Sequence, residues 1–133
     1  MLRNLTRMPA DMSSDSRRQL LNAVTDLFLL DEEPTELAKA HYGEIAVHSL
    51  SHLESADRKG YADQVAAVPS LPREVAVTLA SDADSDVARL VLKLSPVLSD
   101  SDLAAIAVSQ SQAHLIAIAE RARLSEGLTD ILV

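Results

Sequence analysis

Ser81-Asp82-Ala83-Asp84-Ser85-Asp86 leads into Val87, Leu90, Val91 and Leu94; Ser95-Pro96 follows, and then Leu98-Ser99-Asp100-Ser101-Asp102-Leu103. This stretch decides the fold. Short serine and aspartate side chains offer oxygens that cap a helix start. The apolar positions after them fall on one face of a 3.6-residue period. A proline then stops the helix, because the residue before it is pushed out of the α region. The cycle begins again with Leu103, Ile106 and Val108 as the next apolar set.

Downstream, Ser109-Gln110-Ser111-Gln112 links to a helix through Leu115, Ile116, Ile118 and Ala119, and Leu124-Ser125-Glu126-Gly127-Leu128 restarts the pattern. The closest internal match sets Leu98-Ser99-Asp100, Leu103, Ile106 and Val108 against Leu124-Ser125-Glu126, Leu128, Ile131 and Val133, with one residue deleted. Short helix, polar link, short helix is how stacked helical hairpins read, since each pair leaves an apolar face for its neighbour. The expected fold is all-α, with short antiparallel helical hairpins stacked in a HEAT-like, right-handed array.

Upstream the helices are longer. Ser13-Ser14-Asp15 caps a helix over about Ser14 to Leu30, with Leu20, Leu21, Val24, Leu27 and Phe28 on one face, stopped by Asp31-Glu32-Glu33-Pro34. A second helix starts near Thr35 and carries Ala38, Tyr42, Ile45, Ala46, Ser49 and Leu53 on one stripe. Ser55 caps a third through Tyr61 and Val65, and Pro72 opens a short fourth ending at Ala80. Residues 1–12 read as a tail and 13–133 as one domain, longer helices over 13–68 and short repeats over 69–133.

Composition supports the helical reading. Apolar residues make up 47% of 133, yet there are one Phe, two Tyr, no Trp and three Gly. Sandwiches and barrels want aromatic and β-branched alternation with glycine turns. A net charge of −8 with twelve scattered Lys and Arg assembles no basic face. That disfavours nucleic acid and anionic membranes as partners. Cysteine is absent, which removes disulfides, thiolate metal sites and cysteine nucleophiles together. No apolar run approaches the ~18 residues of a membrane span. The N-terminal residues lack the apolar stretch of a secretory signal. The expected location is the cytoplasm.

Arg17-Arg18-Gln19-Leu20-Leu21 with Val24-Thr25-Asp26-Leu27-Phe28-Leu29, the stretch Leu94 to Leu103, and above all His114-Leu115-Ile116-Ala117-Ile118-Ala119-Glu120-Arg121 with Leu124-Ser125 and Leu128 to Val133 resemble a known family. The chain over about residues 17–133 is similar to the N-terminal part of domain of unknown function 2336, an uncharacterised, mostly alphaproteobacterial family of cytoplasmic proteins. The resemblance implies an all-helical, repeat-like domain in a chain that continues further. It brings no activity, cofactor or catalytic residue.

Four polar constellations bear on function. His41, Glu44, His48 and His52 fall on one helical stripe; His48 and His52, with Glu44, are the candidate metal ligands. His41 and His52 lie about 16 Å apart along a helix, so the four cannot share one ion. The H-E-x-x-H pattern is absent, and a polar helix edge is the simpler reading. Asp82, Asp84 and Asp86 mimic the start of a calcium loop, but Val87 stands where its glycine belongs and Lys93 where its bidentate glutamate belongs. They read as an acidic link, with Ser85 or Asp86 capping the next helix. His114 has no nucleophile or carboxylate at an informative spacing and reads as structural. Asp31-Glu32-Glu33 with Glu36 forms an acidic corner suited to a basic partner surface.

The expected function is a non-enzymatic scaffold or regulatory module with no cofactor and no catalytic residue. It binds another protein or its own copy through Glu33, Glu36, Leu128, Ile131 and Val133. The last three sit where the chain stops inside an apolar pattern without a polar closing unit. A homodimer through that uncapped end is one form of this reading, and a chain continuing beyond Val133 is the other. The alternative function is a metal- or small-ligand-responsive domain using the face of His41, His48 and His52.

Overall fold

The computed structural model describes the backbone of residues 14–132 and the side chains of residues 15–123. Seven helices follow one another among these residues, with no strand. They are α1 (Ser14–Leu29), α2 (Glu36–Leu50), α3 (Ser55–Val65), α4 (Arg73–Ala80), α5 (Ser85–Leu94), α6 (Asp100–Ser109) and α7 (Gln112–Leu132). The all-α expectation holds, and helix ends fall within a residue or two of the capping and proline signals.

The caps show why. Thr35 accepts from the Ala38 N–H at the start of α2. Ser99 opens α6 with a reciprocal capping box: its hydroxyl accepts from the Asp102 N–H while the Asp102 carboxylate accepts from the Ser99 N–H. Two assignments shift. Asp84, ahead of the expected Ser85 or Asp86, caps α5 by accepting from the Asp86 N–H. Glu54 occupies the N-cap of α3 without a side-chain cap bond, so Ser55 is the first helical residue rather than the cap.

A larger difference lies at the C-terminal end. The sequence predicts a new unit at Leu124-Ser125-Glu126-Gly127, whereas α7 runs unbroken from Gln112 to Leu132. The internal match therefore pairs a loop and helix start with the middle of one helix. The first copy is set off from the helix before it by Pro96, and no proline precedes the second; a lone Gly127 costs a helix interior only about 1 kcal/mol.

The helices pack both on sequential and on alternate neighbours. α1 lies on α2, α2 on α4, α3 on α5 and α5 on α7, while α4 with α5 and α6 with α7 are sequential pairs. One core runs through these contacts, from Leu21, Tyr42 and Ala46 through Tyr61, Val65, Val75 and Leu79 to Val87, Val91, Leu92, Ile106 and Ala117. Its small residues allow close approach. Gly43 of α2 is buried where a Cβ would run into the side chain of Glu74 on α4.

Candidate functional site

Among the described residues most polar groups inside the fold have partners, the Arg17 Nε being a buried exception. Tyr42 on α2 lies 2.7 Å from the Thr25 hydroxyl of α1 and 2.5 Å from the Tyr61 hydroxyl of α3, all three residues being buried. Phe28 stacks on the Tyr42 ring, centroids 4.3 Å apart. Burial pushes both tyrosine hydroxyls above their ordinary ionisation range. A neutral hydroxyl chain ties three helices together; it offers no nucleophile.

His114 is 1% exposed. Its Nδ1 lies 2.7 Å from the Ser111 hydroxyl and its Nε2 2.7 Å from the Asp82 backbone carbonyl. A carbonyl can only accept, so Nε2 carries a proton. The structural role expected for His114 is what its surroundings provide. The same acidic link is held from the other side: Arg58 donates to both carboxylate oxygens of Asp82, at 2.7 and 3.3 Å, and to the Leu53 carbonyl at 2.7 Å. With Asp82 also accepting from the Asp84 N–H, and Asp84 capping α5, those carboxylates are engaged within the fold as an inter-helix link.

The histidine stripe is solvent-facing. His41, Glu44, His48 and His52 are all exposed, and α2 ends at Leu50, which leaves His52 in the turn beyond it. His48 and His52 still meet edge to face, ring centroids 4.9 Å apart. Partial desolvation, the Arg17 guanidinium and the His48 ring hold the His52 imidazole below the ordinary histidine range. A neighbouring cation opposes a bound cation. Among the described residues no group of three metal-ligating side chains comes together here or elsewhere.

The acidic corner is different. Between the end of α1, the start of α2 and the α3–α4 link lies an open cleft of about 560 Å³. Leu29, Pro34, Val68 and Pro69 supply its apolar lining, and Asp31, Glu32, Glu33 and Lys39 its charge. Asp31 is fixed by accepting from the Glu33 N–H, and Lys39 is paired with Glu36 at 3.5 Å. The side-chain carboxylates of Glu32 and Glu33 have no hydrogen-bond or ion-pair partner among the described residues. Beside them in the chain, Leu27, Leu30 and Leu37 are 68%, 80% and 69% exposed. These exposed leucines flank the acidic turn along the chain, and together with the apolar lining of the cleft they put apolar and acidic surface in one region, the mixture that interaction sites carry.

Of the predicted interaction residues, Glu33 lines this cleft and Glu36 sits at the first turn of α2 beside it. The side chains of Leu128 and Ile131, and Val133 altogether, lie outside the described residues. Sequence reasoning missed Leu27, Leu30, Leu37, Val68 and Pro69. A signal existed for the first two: Leu27 and Leu30 extend the apolar pattern of α1 right up to the acidic stop.

The segment from α5 to the end of the chain carries the outer ties: Arg121 donates to the Leu92 carbonyl at 3.1 Å, and Lys93 pairs with Glu120 at 3.4 Å. Residues 87–133 match DUF2336, described as an uncharacterised protein conserved in bacteria. The resemblance noted from His114 to Val133 is borne out there. No curated protein and no solved structure matches the chain. The matched segment contains α6, α7 and most of α5, and is fastened to the preceding helices by His114 on Asp82 and by Arg73 on Asp102. No described helix is long and apolar enough to cross a membrane.

Proposed function

We propose that this chain is a non-enzymatic helical-repeat module, HEAT-like in arrangement, that binds another protein. The observation that carries the reading is a cleft with an apolar lining and the unpaired carboxylates of Glu32 and Glu33, set between helices that leave Leu27, Leu30 and Leu37 exposed. Alternate packing of helices supports the repeat arrangement: α2 on α4 and α3 on α5 on α7 is the pairing a stack of hairpins requires. The titratable groups inside the fold support a binding role rather than catalysis, because His114, Asp82, Asp102, Tyr42 and Tyr61 are each spent on tying one helix to the next.

The test is affinity capture from the source cell with the wild-type chain as bait, beside Glu33→Lys and Ile131→Asp. A stoichiometric partner lost with either variant supports the reading and tells which end of the molecule carries it. A wild-type bait that is folded, monomeric and empty overturns it.

A further inference from the structure

We infer that the cleft between α1, α2 and the α3–α4 link receives a basic, amphipathic segment of a partner protein, leucine-like side chains on the apolar lining and Lys or Arg against Glu32 and Glu33. The inference rests on the interaction-module reading and names the chemistry of the partner.

Charge decides against the other occupants. From Gln19 to Asp57 the chain carries Asp26, Asp31, Glu32, Glu33, Glu36, Glu44, Glu54 and Asp57 against the single cation Lys39, and Lys39 is already paired with Glu36. A second copy of this chain meeting the cleft through a two-fold axis would set Glu32 and Glu33 against carboxylates of the same face, at an electrostatic cost. A small cation would satisfy the carboxylates but leave the apolar lining of Leu29, Pro34, Val68 and Pro69 uncovered. Only a partner that brings both apolar side chains and positive charge covers that lining and neutralises the acids. The cleft's volume of about 560 Å³ is that of a site for a few side chains. Peptides that dock by one amphipathic face present such anchors at helical spacing.

The experiment uses the full chain and a fluorescent model peptide of leucine and lysine, with leucines at helical spacing. A scrambled peptide of the same composition separates patterned docking from general attraction to an acidic protein. Binding is followed by anisotropy at about 150 mM salt, where the Debye length is ~8 Å. The expected result is saturable one-to-one binding of the patterned peptide, weakened roughly tenfold or more, a loss of about 1.4 kcal/mol, by Glu32→Lys with Glu33→Lys and, separately, by Leu30→Asp. All three side chains are exposed, so circular dichroism should report an unchanged fold. Equal binding of patterned and scrambled peptides, no binding, or indifference to either variant overturns the inference, as does a wild-type dimer dissolved by Leu30→Asp. Failure here with a partner still captured and lost in Ile131→Asp removes only the cleft; an empty capture with a folded, monomeric bait removes the module reading itself.

Discussion

Arg58 and His114 grip Asp82 from opposite sides, the guanidinium on its carboxylate at 2.7 and 3.3 Å and the imidazole Nε2 on its backbone carbonyl at 2.7 Å. One residue in a short link thus joins α3, the α4–α5 connection and α7. The contact is shielded, the Arg58 and Asp82 side chains being 25% and 12% exposed. Pairs so placed lose more when one partner is removed than they contribute when intact, because the survivor is left desolvated and alone.

Arg58→Met should therefore lower unfolding stability by about 2 kcal/mol, between the value of a surface pair and that of a fully buried one. His114→Ala should cost about 3 kcal/mol, since it opens a cavity and also removes the partner of the Asp82 carbonyl. Urea denaturation measures both. The double variant should lose less than the sum, as residues sharing one partner do; strict additivity would mean that the two contacts act independently.

The hydroxyl chain makes an asymmetric prediction. Tyr42 stands in the middle, between Thr25 and Tyr61. Removing its hydroxyl with Tyr42→Phe unpairs two buried groups and should cost about 2–3 kcal/mol, whereas Tyr61→Phe leaves the Thr25–Tyr42 bond intact and should cost about 1 kcal/mol. Both tyrosines ionise at higher pH in the folded state than in the unfolded one. Their contribution is thus full below about pH 10, the unfolded value, and is lost as pH rises beyond it. Equilibrium unfolding from pH 8 to 11 should show that alkaline decline in wild type and less of it in Tyr61→Phe.

How far the sequence reached depends on whether a feature is local. The Ser99–Asp102 capping box and the stops before Pro34 and Pro96 depend on neighbours along the chain, and they fall where spacing puts them. Leu27 failed for a non-local reason: it lies on the apolar stripe of α1, but α1 packs chiefly on α2, so only part of the stripe, Leu21 with Val24 and Phe28, is covered. The partner of His114 is a backbone carbonyl 32 positions away, which no side-chain spacing encodes. Thr25, polar and yet fully buried, is likewise intelligible only once Tyr42 arrives from the next helix. The acidic corner was visible as charge; that it borders a cleft depends on Val68 and Pro69 from a link more than thirty residues on.

Acid stability should depend on Asp102. Its carboxylate accepts from the Arg73 guanidinium and from the Ser99 N–H, and these two contacts hold it below the ordinary carboxylate range. With the folded value depressed, the stabilisation is complete above about pH 4, the unfolded value, and disappears as pH falls through the folded one. Arg73 is two-thirds exposed, so solvent screens its share. The cap remains: Asp102→Asn should cost about 1 kcal/mol at neutral pH and flatten the stability profile between pH 4 and 2, as followed by thermal unfolding.

Gly43 and Glu74 should show coupling of the opposite kind. An alanine in place of a helical glycine is favourable by about 1 kcal/mol when nothing obstructs it. At Gly43 the new methyl would overlap the Glu74 side chain from its carboxylate back to Cγ, so α4 must yield or Glu74 must swing away. Gly43→Ala alone should then bring little or no gain in stability. Glu74→Ala alone should change stability by only a few tenths of a kcal/mol, because Glu74 is exposed and makes no side-chain hydrogen bond or ion pair among the described residues. Together the two should recover most of the ~1 kcal/mol that the helix gains from alanine. A double-mutant cycle by chemical denaturation decides it. A coupling near zero would show that Glu74 swings aside or the two helices part at little cost, and that the glycine is not what sets their close approach.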